Sequence, residues 1–336
     1  MKNVALALSS GGPRGFAYIG AIEELLARGY RITSVAGTSA GSLVGGVFAA
    51  GGLEDFKEWL YGLDPVKVVS LMDFSLSKNH LVKGDRVIEA IRGIVPDVNI
   101  EDLPLPFTAI ATDLFTGEEV IFREGPLFEA IRASISIPSM FRPVHWHGRT
   151  LVDGGLVNTF PLNRVQRTEN DILVGFNVNA IDAPAINRFL RSRDACEEDE
   201  NKLKMKALSL LKDTLSTDPS DAIRKLRDAG RKGGDLLRAR VEAGRRTRKL
   251  LADSREENIP TDADDNYVSI LDRSFGIMNQ TIAQMGIDLC PPDILVSLPY
   301  DSYQGVYGYS HAEEIANRGR TLMAEALDAY EKSMEG

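Results

Sequence analysis

The pentapeptide Gly37-Thr38-Ser39-Ala40-Gly41 fits the G-x-S-x-G spacing of a nucleophile elbow. In that motif a sharp strand-to-helix turn lifts a serine hydroxyl clear of the backbone. A turn this tight favours glycine at its flanks, and a serine at a helix start sits where the helix dipole stabilises developing negative charge. The chemistry such a serine performs is attack on an acyl carbon. Alone the pentapeptide is a weak signal, but it follows the β-branched stretch Ile32 to Ala36 and precedes the small, apolar run Leu43 to Ala50, which is the strand and buried-helix context the motif requires.

Acyl transfer also needs donors for an oxyanion, usually backbone N–H groups of a second glycine-rich loop. Ser10-Gly11-Gly12-Pro13-Arg14-Gly15 follows the apolar run of residues 4–8 and can supply them from Gly11 and Gly12, whereas Pro13 has no N–H. Arg14 either holds this loop or pairs with an anionic head group. A phosphate-binding loop is the competing reading, but the G-x-x-x-x-G-K-[ST] pattern is absent and a dinucleotide fingerprint would place glycine where Ser10 stands.

The proton acceptor is the harder question. In the Ser-acid-His order the histidine follows the acid, and beyond residue 147 that leaves His311, which opens the helical pattern Ser310-His311-Ala312-Glu313-Glu314 and reads as a helix-start residue. His145 and His147 alternate in Val144-His145-Trp146-His147, which puts both on one exposed face of a strand, with no third ligand for a metal; His80 is isolated. Asp153 differs, because Leu151-Val152-Asp153-Gly154-Gly155 sets one acid at the end of an apolar stretch, where a partly desolvated carboxylate can take a serine proton directly.

These residues need a scaffold. The sequence predicts strands at residues 4–8, 32–36, 107–112, 119–122, 173–178 and 294–297, and helices at 16–26, 43–50, 53–60, 85–94 and 311–331. Strands alternating with helices predict an α/β body with a mainly parallel sheet covered on both faces. Residues 182–265 break the pattern. They lose the strand signals, become highly charged and carry an apolar stripe at helical spacing, Leu203, Ala207, Leu211 and Leu215, so they read as a helical insertion between body segments 1–181 and 266–336. Within them, residues 221–250 hold eleven Lys or Arg against four acids, an excess of seven positive charges. A solvated face is the plain reading of that excess, and peripheral membrane contact is the alternative.

Composition bounds the function classes. The 336 residues are 43% hydrophobic and 26% charged, which is ordinary for a globular chain, and a formal net charge of −9 argues against nucleic acid as a partner. Cys196 and Cys290 lie far apart, without the spacing of a metal or redox motif, so a reducing, cytoplasmic setting is expected. The apolar run at the N-terminus is too short for a secretory signal, and no apolar stretch has the length of a transmembrane helix.

Taken together, Ser10-Gly11-Gly12-Pro13-Arg14-Gly15, Gly37-Thr38-Ser39-Ala40-Gly41 and Asp153-Gly154-Gly155 resemble the patatin-like phospholipases. Similar in character are Ala111-Thr112-Asp113, the stretch from Ala133 to Val144 and Gly155-Leu156-Val157-Asn158-Thr159-Phe160-Pro161. The resemblance covers roughly residues 4–180, with a weaker echo from Pro292 onward, and departs at Ser10, where the family usually has glycine. It implies a three-layer α/β/α fold and a Ser-Asp dyad with Ser39 as nucleophile and Asp153 as base, Gly11 and Gly12 in the oxyanion hole, and no metal or cofactor. The implied activity is hydrolysis of carboxylic esters in acyl lipids, of the phospholipase A or lysophospholipase kind. An acyltransferase or thioesterase on the same scaffold is one alternative, since an acyl-enzyme can form from a thioester or pass its acyl group elsewhere. A non-catalytic regulatory protein that keeps the fold is the other.

Overall fold

A computed structural model describes residues 2–71, 84–181, 267–300, 302–303 and 306–335, all within one compact unit of the chain. The predicted insertion, residues 182–265, lies outside the described residues, and so do its basic segment 221–250, His80 and Cys196.

The body is a mixed sheet with helices on both faces. Its strands are β1 (Asn3–Leu8), β2 (Arg31–Thr38), β3 (Phe107–Asp113), β4 (Glu119–Phe122), β5 (Val144–Trp146), β6 (Arg149–Asp153), β7 (Ile172–Ala180) and β8 (Ile294–Pro299). They run in the order β5-β6-β3-β2-β1-β7-β8, with β4 paired to β3 off this path. The contacts among β3, β2, β1, β7 and β8 are parallel, while β4, β5 and β6 add by antiparallel pairing.

Helices α1 (Ala17–Ala27), α2 (Ala40–Ala49), α3 (Leu53–Tyr61), α4 (Pro65–Leu71), α5 (Asp85–Arg92), α6 (Leu127–Ser134), α7 (Tyr267–Leu289) and α8 (Ala312–Glu335) complete the described elements. The two-residue period of the strands decides which face takes most of them. Large side chains alternate onto one face, where Val4, Leu6 and Leu8 of β1, Val174, Phe176 and Val178 of β7 and Ile294, Val296 and Leu298 of β8 pack with α1, α2, α6 and α8 in the main core. The opposite face carries the small Ala5, Ala7 and Ala36, so a thinner layer covers it: Phe160, Leu162 and Val165 from the segment after β6, and Ala283 of α7. This is the three-layer α/β/α arrangement.

The predicted strands and helices are present, with ends shifted by one to a few residues. Helices α4, α6 and α7 were not predicted, nor was β6, whose five residues are too few to show a period. One expectation needs correction. His145 lies on β5, but His147 does not share its strand face: it sits in the turn between β5 and β6 with a φ of 46°, because Trp146 pairs with Arg149 across a tight hairpin.

Candidate active site

Ser39 stands between the end of β2 and the start of α2, and its backbone sits at φ 54°, ψ −120°, a region costly for a residue with a side chain. What holds it there is close packing that only glycine permits. A Cβ on Gly37 would stand 2.2 Å from the Gly41 carbonyl oxygen, and one on Gly41 would stand 2.3 Å from that of Leu8. The first turn of α2 is thus pressed against β2 and β1 with no room for a methyl group. Two hydrogen bonds complete the turn: the Ser39 N–H donates to Ser134 Oγ at 2.8 Å, and Ser42 Oγ donates to the Ser39 carbonyl at 2.6 Å.

Asp153 ends β6. Register brings it to Ser39, since Thr38 pairs with Ile110 on β3 and the next β3 residue, Ala111, pairs with Asp153. At Gly154 the chain crosses β3 so closely that a Cβ would lie 2.3 Å from the Ile110 carbonyl oxygen. The Ser39 hydroxyl donates to Asp153 Oδ2 at 2.5 Å, and the Gly155 N–H donates to Oδ1 at 2.7 Å. Ser39 is 4% exposed and Asp153 6%. Burial lifts the Asp153 carboxyl from its ordinary 3.8 to about 6, while the bonds from Ser39 and Gly155 oppose the rise.

The glycine loop runs from the end of β1 into a 3-10 turn, Gly12–Phe16. Ser9 and Ser10 donate their N–H groups to the carbonyls of Phe176 and Thr159. Among the described residues, no acceptor takes the N–H of Gly11 or Gly12. Gly12 has a φ of 57°, and Gly15 packs so tightly on the start of α2 that a Cβ would stand 2.5 Å from that of Ala40. Arg14 is buried and turned inward, with Nε donating to the Val178 carbonyl at 2.9 Å, Nη2 to Asn179 Oδ1 at 3.5 Å, and its guanidinium 4.4 Å from the centre of the Tyr300 ring. These contacts tie Arg14 to β7 and to the Tyr300 ring.

The parts played by several residues of the site gave no signal in the sequence, although Thr112 and Ser134 lie in stretches of family character. Ser134 Oγ relays between the Ser39 N–H and the Ile110 carbonyl, to which it donates at 2.5 Å, and Thr112 Oγ1 donates to the Asp153 carbonyl at 2.9 Å. Tyr309 brings its hydroxyl to 3.7 Å from where a Cβ on Gly12 would be, and burial pushes that phenol up to about 12, so it stays protonated. His145 Nδ1 lies 3.3 Å from Thr150 Oγ1, and His311 precedes α8 with its carbonyl taking the Ile315 N–H.

The family model described as patatin-like phospholipase matches residues 6–165. An uncharacterized NTE family protein of Mycobacterium tuberculosis (strain ATCC 25618 / H37Rv) is 34% identical over 342 aligned positions, covering 98% of this chain and 92% of the relative, so the likeness continues well past the family model. A second such protein of the same strain is 36% identical over 167 positions, covering 48% of this chain and 28% of the relative. In Mus musculus, patatin-like phospholipase domain-containing protein 7 is 27% identical over 193 positions, covering 55% of this chain and 14% of the relative. With the glycine loop, the serine elbow and the Asp-Gly-Gly turn at the ends of β1, β2 and β6, and a relative matched along nearly its whole length, the chain belongs to the patatin-like phospholipase family, whose chemistry at the family level is lipid ester hydrolysis.

Proposed function

We propose that the chain is a serine acyl-hydrolase that cleaves carboxylic esters of acyl lipids, of the phospholipase A or lysophospholipase kind, through Ser39 and Asp153. The observation that carries this reading is the 2.5 Å hydrogen bond from the Ser39 hydroxyl to a buried carboxylate, made by a serine held in a strained turn at a helix start. Ser39 Oγ attacks the ester carbonyl while Asp153 takes its proton. The Gly11 and Gly12 N–H groups receive the oxyanion, helped by the positive end of the α2 dipole. Collapse of the tetrahedral intermediate breaks the ester bond, and the departing alkoxide takes the proton back from Asp153, leaving an acyl-enzyme. Water, deprotonated by Asp153, then attacks the acyl-enzyme and releases the fatty acid, and Ser39 is restored. No histidine takes part.

Ser39→Ala tests this directly, because it removes the hydroxyl and keeps the fold. Hydrolysis of short-chain nitrophenyl esters and of phospholipids is expected to fall to background, and labelling by a fluorophosphonate probe is expected to vanish. A variant that keeps a substantial share of the wild-type rate moves the nucleophile elsewhere.

A further inference from the structure

The glycine loop carries serine at residue 10, and beneath it lies a polar cluster that the mechanism above does not use. Ser9, Ser10 and Asn179 are all buried, Asn179 to 1% exposure, so each of their polar atoms needs a partner. The Asn179 Nδ2 donates to the Ser10 carbonyl at 2.6 Å, and Ser9 Oγ reaches the same oxygen at 3.0 Å. Ser9 Oγ is itself held by the Val178 N–H at 3.0 Å and by Asn179 Nδ2 at 3.3 Å. The Asn179 amide cannot turn over without loss, since Oδ1 faces the Arg14 guanidinium and the Asn179 N–H is tied to Asn177 Oδ1 at 2.9 Å.

The Ser10 carbonyl and the Gly11 N–H belong to one peptide unit. That unit is planar and trans, so the two groups point in opposite directions and fixing one aims the other. From its other side Gly11 is trapped against β7, where a Cβ would stand 2.1 Å from Val178 Cγ2. The loop can therefore neither rotate this peptide nor rise off the strand without breaking buried hydrogen bonds.

We infer that Asn179, assisted by Ser9, is a positioning residue of the acyl-transfer site, holding the Ser10 carbonyl so that the Gly11 N–H meets the oxyanion. This rests on the reading of Ser39 and Asp153 given above. It also accounts for Ser10, whose backbone carbonyl is the contact and whose side chain is left to face Gly155.

The test uses Asn179→Asp and Asn179→Ala in the full chain, with a soluble nitrophenyl ester as substrate and a trifluoromethyl ketone as a mimic of the tetrahedral intermediate. Asn179→Asp keeps size and the Arg14 contact but turns an acceptor toward the Ser10 carbonyl. Removing an oxyanion donor outright costs roughly a hundredfold to a thousandfold in kcat, so losing its aim is expected to cost about tenfold to a hundredfold. The loss should lie in kcat, with KM within about twofold, and the ketone should weaken by the same factor as kcat/KM. Unchanged kcat, or a KM that rises as ketone affinity falls with kcat intact, overturns the inference. Should Asn179→Ala fail to fold, Asn179→Asp and Ser9→Ala each remove a donor to the same carbonyl and carry the measurement. Ser39→Ala run alongside separates the two levels: hydrolysis that survives it overturns the dyad and this inference with it, whereas hydrolysis that needs Ser39 but is indifferent to Asn179 overturns this inference alone.

Discussion

Asp153 has two consequences of opposite sign. As a base it must be ionised, and with its carboxyl raised to about 6, kcat/KM is expected to rise with pH through that value and level off above it. Asp153→Asn keeps the size but cannot accept the serine proton, so the rate should drop by roughly a hundredfold to ten-thousandfold and the acid limb near pH 6 should disappear. His145, His147 and His311 changed singly to Gln should keep most activity. The stability effect runs the other way. A folded-state value above the unfolded 3.8 means that the folded protein holds its proton more tightly. Its contribution is therefore fully present below about 3.8 and is lost as pH rises through about 6, a cost on the order of 3 kcal/mol at neutral pH. Asp153→Asn removes the buried charge, so the variant should melt above the wild type at pH 7, with the difference shrinking toward pH 4.

Helices α1 and α8 show what small residues do between elements. A Cβ on Gly20 would stand 1.9 Å from the Ala316 carbonyl oxygen, and one on Gly319 would stand 1.9 Å from that of Ala17, so the two helices touch backbone to backbone. Ion pairs flank the contact: Arg28 reaches Asp328 at 2.6 Å, and Arg320 pairs with Glu23. A methyl group at the crossing must force the helices apart, and α8 also leads back through the turn that holds Tyr309 beside the glycine loop. Gly319→Ala is expected to destabilise the fold by about 1–3 kcal/mol or more, read as a lower urea midpoint. Gly93→Ala supplies the contrast. Gly93 follows α5 in a right-handed conformation at φ −72°, with the nearest atom 3.4 Å from a new Cβ, so that change should be neutral or stabilise by a few tenths of a kcal/mol.

At the scale of the whole molecule, the charge of the chain and that of one segment disagree. The net charge is −9, yet residues 221–250 carry eleven basic against four acidic side chains. Among the described residues, no helix is long and apolar enough to cross a membrane. Vesicle sedimentation separates the two readings of the basic segment. As a membrane-surface element it should bind only vesicles containing anionic lipid and release them as salt rises toward a few tenths molar. Equal binding to neutral vesicles, or none to either, leaves a solvated face.

Much of the site was legible in the sequence because its demands are local. Gly37 must lack a side chain because the Gly41 carbonyl, four residues on, stands where it would go, and Asp153-Gly154-Gly155 carries its own turn, with the Gly155 N–H closing on the Asp153 carboxylate. The strands of the parallel core were legible too, because large residues on alternate positions mark one face of a pleat. Not legible were the parts of Ser134 and Asn179, each of which serves a backbone atom far along the chain. Ser134 serves the Ser39 N–H from 95 residues away, and Asn179 serves the Ser10 carbonyl from 169. A serine ending one helix and an asparagine one residue short of a strand's end look like any others until folding supplies the group they bond. Distance was decided the same way. The sequence could propose Ser39 and Asp153 as partners, but the register of β2, β3 and β6 sets the 2.5 Å between their oxygens, and the burial that raises the Asp153 carboxyl exists only once the sheet and its helices have closed over it.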